Sequence, residues 1–354
     1  MSAPELHARV LEGHAGLIEL RDEWRTLCEQ CPWATPFQRP EWLLAWAGQL
    51  RPERPWTIAV RERGRLIGLA PLFLYRRGNA RVLALLGAGA SDYGDVLALP
   101  GRERAVVRAM LSALARRRAR WDVCELDEVR PAISPLTRLT LPRGWSMRVS
   151  TQSTCPSLAL PARVDELSRH VPPRHLRRFE QYRRRAASAG TLALERATPD
   201  TCERLLDTLF DLHEARWRAH GKPGGFADSR VRALHREAAV ALAKQDALAL
   251  YVLRIDQRPI ACLYGYEHDR TLYFYLGGFD PAAASLSPGA LVLGLVLETS
   301  IQRGLTRFDF LRGSEAYKYW WGAEDRHTVR LRLTLDRDHA RAVHESELSA
   351  SNRP

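Results

Sequence analysis

The 354-residue sequence predicts an α/β protein of mixed sheets with helices on both faces, arranged as two tandem units. Three observations lead there. A chain of this length exceeds one small domain and suits two of ordinary size. Helical segments are interleaved with strand hairpins rather than with single strands, which produces mixed sheets. The third observation is an internal repeat: VRERGRLIG at 60–68 aligns with LRIDQRPIA at 253–261, an offset of 193 residues (65 against 258). Strand, loop, helix and strand follow in both halves, in the same order.

In the first half, Leu17, Leu20, Trp24 and Leu27 recur at helical spacing and predict a helix over 17–28. TPFQRPEWLLAWAGQL is broken by its prolines and leads into a helix from Pro40. Strands over 56–61 and 65–75 turn at Arg63-Gly64, and 81–86 is another strand. GAGASDYGD is a glycine-rich loop, 102–118 a basic amphipathic helix and 121–126 a buried strand. The second half reads as helices at 205–220 and 230–244, then a strand pair at 248–255 and 259–268. A strand at 271–277, a helix at 288–303 and a strand at 307–311 follow. The segment 127–157, rich in Pro, Ser, Thr and Arg, reads as the linker. It divides the chain into 1–150 and 151–336, with a polar tail at 337–354 expected to be disordered.

The formal charge of +12 comes almost wholly from arginine, since lysine stands only at Lys222, Lys244 and Lys318. A compositional bias toward Arg and Ala accounts for the total; a polyanionic partner is the sharper alternative. Six scattered cysteines read as reduced, buried thiols. The C-x-x-C at Cys28 and Cys31 lacks the second pair that a metal site needs, so no metal is expected. MSAPELHARV has no signal-peptide pattern, and the apolar run 290–297 is too short to span a bilayer. A cytoplasmic protein is the expectation.

Four segments can carry chemistry. In LYFYLGGFDPAAASLSPGALVLGLVLETSIQRG, a buried strand ends at Gly277-Gly278 and Ser287-Pro288-Gly289 opens a helix. Ser as N-cap and Pro as first helical residue specify that start. The unpaired N–H groups of a helix start suit a phosphate, and the twin glycines are read as leaving further backbone donors free. In RFDFLRGSEAYKYWWG, a strand delivers Arg312, Glu315, Tyr317 and Lys318 to its C-terminal end, where α/β sheets hold ligands. A compact ammonium in an arginine-rich chain marks Lys318, and Trp320 and Trp321 can wall off a dry site. In LFDLHEARWRAHGKPGGF, His213, Arg216, Trp217 and His220 lie on neighbouring helical turns before a glycine-rich loop. In RHLRRFEQYRRRAASAG, six arginines share a helix with Phe179 and Tyr182; a solvated basic face is the ordinary reading and an anion site the second.

Together these segments resemble the GNAT superfamily, and within it the tandem-GNAT branch. That branch holds CelD-like acetyltransferases of polysaccharide biosynthesis and the Fem-type peptidoglycan aminoacyltransferases. The stretches that carry the resemblance are TPFQRPEWLLAW, LHEARWRAHGKPGGF, SPGALVLGLVLETSIQRGLTRFDFLRG and GSEAYK. The resemblance implies two GNAT-like units, the second binding acyl-CoA, ordinarily acetyl-CoA. Its pantetheine arm would lie beside Leu276, Gly277, Gly278 and Phe279, and its pyrophosphate at Ser287, Pro288, Gly289 and Ala290. The implied reaction is direct acyl transfer to an amine on a small molecule, glycan or peptide, in envelope or exopolysaccharide biosynthesis. The usual Q/R-x-x-G-x-G/A loop is replaced by ASLSPGA, which leaves acyl-CoA, an acyl carrier protein and aminoacyl-tRNA open as donors. The absence of a long heptad-rich arm favours CoA.

An ammonium cannot attack a thioester, so a base is needed. Glu315 is the first candidate, His213 the next and Asp309 a buried alternative. The backbone around Leu276–Gly278 is the expected oxyanion donor, with Lys318 assisting or binding an anionic acceptor, and Tyr317 returns a proton to the thiolate. Arg216, Trp217, Phe226, Arg312 and Trp320 are the expected substrate contacts. The rivals are a Fem-type aminoacyl-tRNA-dependent transferase, a binding module for RNA or anionic polymer, and a degenerate GNAT scaffold.

Overall fold

The computed structural model describes residues 6–138 and 140–336. The chain divides into two units: the first runs to Ser153 and resumes at His327, and the second is Thr154–Arg326. The tail read at 337–354 lies outside the described residues.

In chain order the first unit contains β1 (Leu6–Glu12), α1 (Gly13–Glu19), α2 (Arg21–Gln30), α3 (Pro40–Leu50), β2 (Arg54–Glu62), β3 (Arg65–Ala70) and β4 (Leu72–Arg77). Then come β5 (Ala80–Leu85), β6 (Leu97–Ala98), α4 (Glu103–Arg116), β7 (Val123–Val129) and β8 (Trp145–Thr154). Its sheet runs β6-β3-β2-β4-β5-β7, with β1 paired along β2. Pro71, which has no N–H for a ladder, separates β3 from β4 where the sequence reads one strand. The helix read over 17–28 is two helices, α1 and α2, meeting at Leu20. The segment read as a linker contains β8, a ten-residue strand with no fully buried side chain.

The second unit contains β9 (Ser157–Ala159), α5 (Pro173–Ala189), β10 (Leu192–Arg196), α6 (Cys202–Ala219), α7 (Ser229–Ala243), β11 (Leu248–Ile255), β12 (Arg258–His268) and β13 (Thr271–Phe279). It closes with α8 (Pro288–Gln302), β14 (Arg307–Asp309) and the short α9 (Ala316–Trp320). The chain then enters β15 (His327–Leu335), which pairs antiparallel with β7 and lies between β7 and β8. The division read at residue 150 assigns this strand to the second unit, whereas it completes the sheet of the first.

The second sheet runs β10-β11-β12-β13-β14-β9. β10 to β13 are antiparallel neighbours, and β13 and β14 are parallel, joined through α8. The apolar side chains of α8 and the inner faces of β11 and β12 form one core with Phe308, Phe310 and Trp321. The first unit repeats this order: the antiparallel hairpin β2–β3 comes first, then β5 parallel to β7 with α4 between them.

The two units differ after the first strand of the parallel pair. In the first unit, the chain leaving β5 folds inward. Ser91, Asp92, Tyr93 and Asp95 are buried, Gly94 N donates to Glu128 O at 3.0 Å, and Trp42 Nε1 donates to Ser91 Oγ at 2.8 Å. Burial pushes the Asp95 carboxyl up to about 7, and its Oδ2 has no hydrogen-bond partner. The glycine-rich loop GAGASDYGD is thus a plug that fills its own unit.

Candidate active site

In the second unit, β13 and β14 pair at only three positions, Thr271 with Arg307, Leu272 with Phe308 and Tyr273 with Asp309. Beyond them β13 continues to Phe279 along β12, while the chain leaves β14. Two parallel strands that separate leave open edges and a wedge between them. A cleft of about 450 Å³ occupies this wedge, a volume suited to a small ligand. Its walls come from β13, the start of α8, the end of α6 and the loop after β14.

The sheet is bent at this point. Opposite Tyr264 and Gly265 the register of β13 shifts, leaving Tyr275 as the extra residue of a bulge, a device that re-aims side chains near active sites. The glycine at 265 is required there, because a Cβ would stand 2.1 Å from Tyr273 O. Tyr275 and the next four residues all line the cleft.

The twin glycines have a packing role. A Cβ on Gly278 would lie 2.6 Å from His213 N, so its absence lets the backbone of α6 rest directly on β13. That approach brings His213, Arg216 and Trp217 to the cleft wall. Arg216 sets its guanidinium 5.1 Å above the Phe279 ring, a cation–π contact, and reaches toward Gly277 O at 3.4 Å.

At the other wall, Pro288 opens α8 as the sequence indicates, with Gly289 and Ala290 lining the cleft. Ser287 does not cap with its hydroxyl. It sits at φ +52°, a left-handed conformation that costs a non-glycine residue about 1 kcal/mol. The Ser287 side chain therefore leaves the first-turn N–H groups of this helix uncapped.

The loop after β14 is held by buried polar contacts. Asp309 Oδ1 accepts from Leu311 N at 2.9 Å, and Leu311 adopts φ +56°. Lys318 is 2% exposed and its Nζ donates to three carbonyls, Leu311 O at 3.3 Å, Arg312 O at 2.7 Å and Gly313 O at 3.0 Å. A fourth contact, 2.9 Å, goes to Glu315 Oε2. Lys318 lines the cleft, as expected, but its ammonium is turned to the loop carbonyls, while Asp309 holds the turn and is not among the lining residues.

Glu315 and Tyr317 do line the cleft, as do Arg312 and Trp320. The Tyr317 ring sits 6.5 Å from Phe274 and 6.3 Å from Phe310. Desolvation, reinforced by the Glu315 charge, raises its pKa above the ordinary tyrosine value.

His213 is placed differently from a general base. Trp217 Nε1 donates to its Nε2 at 2.9 Å, so the one lone pair of the neutral ring is taken and the proton sits on Nδ1. Nδ1 is buried without a partner. Desolvation lowers the pKa to about 4, with the Arg216 and Arg232 charges acting the same way, so the ring is neutral. Phe226 does not reach the cleft: it is 2% exposed, packed against Phe210, His213 and His235.

Trp321 and Tyr182, named in the sequence, both line the cleft, and sequence reading missed Cys262, Leu263, Phe274, Tyr275, Val292, Leu293 and Phe310. Most are apolar and look like core. Only the divergence of β13 from β14 distinguishes them, and that is a tertiary property. The six cysteines are all buried, and no disulfide joins them. Among the described residues, no group of His, Cys, Asp and Glu is arranged to hold a metal ion, and no helix is long and apolar enough to cross a membrane.

The strand pair that splits beside an open helix N-terminus lies inside the segment that a family comparison matches. Residues 173–319 match the family model of the acetyltransferase (GNAT) domain. No curated protein matches the sequence. Among solved structures, FemX is similar with a TM-score of 0.65 at 12% identity, covering 92% of this chain and 98% of that one. The C-terminal domain of a putative lysylphosphatidylglycerol synthetase from Agrobacterium fabrum is similar with a TM-score of 0.58 at 13% identity, covering 95% and 97%. A protein of unknown function from Bacteroides thetaiotaomicron gives 0.57 at 12% identity, covering 93% and 100%. At such identities the likeness concerns the fold.

Proposed function

We propose that the second unit transfers an acyl group from acyl-CoA to an amine, directly and at the cleft between β13 and β14. The observation that carries this reading is the splayed strand pair, with an apolar wedge on one side and the uncapped start of α8 on the other. The match of residues 173–319 to the GNAT domain supports it. In this reading the open edge of β13 at Leu276–Gly278 lies along the donor's amide-bearing arm and donates to the thioester oxygen as it becomes negative. Ser287, Pro288, Gly289 and Ala290 receive the pyrophosphate.

The acceptor amine enters past Arg216, Trp217 and Arg312. Glu315, at the rim and half-exposed, takes its proton, and Tyr317 gives one to the leaving thiolate. His213, with its lone pair occupied, acts through its Nδ1 proton and its ring as part of the wall. Lys318 and Asp309 are positioning residues that hold the loop carrying Glu315 and Tyr317.

Free thiol released from acetyl-CoA in the presence of a panel of amines tests the reaction. Release that depends on the amine is expected. Release at the same rate without any amine would indicate hydrolysis, and no release beside transfer from charged tRNA would favour a Fem-type donor.

A further inference from the structure

The arginines of α5 are placed unlike many others in this protein. Arg61, Arg77 and Arg330 each meet a carboxylate within 4 Å. On α5 only Arg183 does, with Glu180 and Glu298. Arg174, Arg177, Arg178, Arg184 and Arg185 are exposed along one face and have no carboxylate within that distance among the described residues. Like charges three and four residues apart repel on a helix, so this face is costly until an anion covers it.

Its position is set by packing. Phe179, on the buried side of α5, fills the space where a Cβ of Gly294 would be, fastening α5 against α8. Arg185 Nη1 donates to Ser285 O at 2.7 Å, in the loop that enters α8. Arg174, Arg177, Arg178 and Arg185 line a second cavity of about 490 Å³ together with Tyr182 and Ser287. Tyr182 also lines the cleft, so the two cavities share a wall. The loop itself, DPAAASLSPGA at 280–290, contains no basic residue. The arginines of α5 therefore stand beside a loop without basic side chains, with Arg216, over Phe279, the other guanidinium on the cleft wall.

We propose that this arginine-lined cavity binds the phosphate-bearing nucleotide end of the donor, a group of the adenosine 3′,5′-bisphosphate type. Guanidinium groups suit it because they present paired donors to phosphate oxygens and remain charged at any working pH. The inference rests on the acyl-CoA reading above and assigns α5 the phosphate contacts for which the loop has no basic side chain.

The test is calorimetric titration of the full-length protein with CoA, with adenosine 3′,5′-bisphosphate and with acetyl-pantetheine, which lacks both nucleotide and phosphates. The variant Arg174→Gln/Arg177→Gln/Arg178→Gln is compared with wild type, and Arg177→Gln alone serves if the triple variant loses its thermal midpoint. CoA and the bisphosphate are expected to bind the triple variant at least about tenfold more weakly, with a shallower salt dependence, while acetyl-pantetheine binds both proteins equally. Unchanged CoA affinity in the variant would overturn the role of α5 and leave the donor reading standing. A wild type that binds a single-stranded RNA oligonucleotide but neither CoA nor the bisphosphate would overturn both.

Discussion

Replacing Tyr317 by Phe is expected to lower kcat about 100-fold, the usual scale of a lost general acid, with little change in donor KM. The hydroxyl lies at a cleft wall, is protonated at neutral pH like any phenol, and has no hydrogen bond to another group among the described residues. It is thus available to a leaving thiolate. The ring packs edge-on to Phe274 and Phe310, and phenylalanine keeps those contacts, so the thermal midpoint should not move. The neighbouring Lys318 makes no use of the hydroxyl. Steady-state rates with acetyl-CoA and a saturating amine measure the effect. A variant with the wild-type kcat would remove Tyr317 from the chemistry.

Lys318→Met is expected to destabilise the second unit by about 3 kcal/mol, the cost of stripping a buried cation from its partners. The methionine fills a similar volume but leaves the carbonyls of Leu311, Arg312 and Gly313 without their donor. The loop is then free to relax from Leu311 at φ +56°, and the residues it carries lose their geometry. Lys318→Arg should not rescue it, because a planar fork cannot point its donors into a pocket shaped for three convergent bonds. Urea unfolding followed by tryptophan fluorescence reports the loss. An unchanged midpoint for Lys318→Met would mean that the ammonium is not what holds this loop.

How much of this was legible beforehand varies with burial. The helix at Pro288 was readable because Pro fits the first helical position, and β11 because its run is buried on both faces. β8 and β10 were missed for the opposite reason: as lightly buried strands they carry polar side chains that look like linker. β15 alternates as VRLRLTL and could have been found by its period of two, although its pairing with β7 is a long-range choice that no local pattern reveals. At the site, residue types were informative and roles were not. Lys318 stood out by its rarity, yet its three carbonyl partners come from a turn that only the folded loop creates. His213 stood out by its helical neighbours, and the indole of one of them, Trp217, takes the lone pair a base would need. The arginines of α5 are exposed, as the solvated-face reading has it, and the packing of Phe179 against Gly294, which sets their helix against α8, is a tertiary contact that the local pattern does not reveal.

One donor bound per chain is expected, in the second unit, because the wedge between parallel strands is open there while the corresponding loop of the first unit is folded inward. Native mass spectrometry with a panel of acyl-CoA species measures this most directly. A single acyl-CoA bound per chain, lost on competition with free CoA, is the expected result. Two bound per chain would contradict the filled first unit, and none with any acyl-CoA would contradict the donor assignment itself.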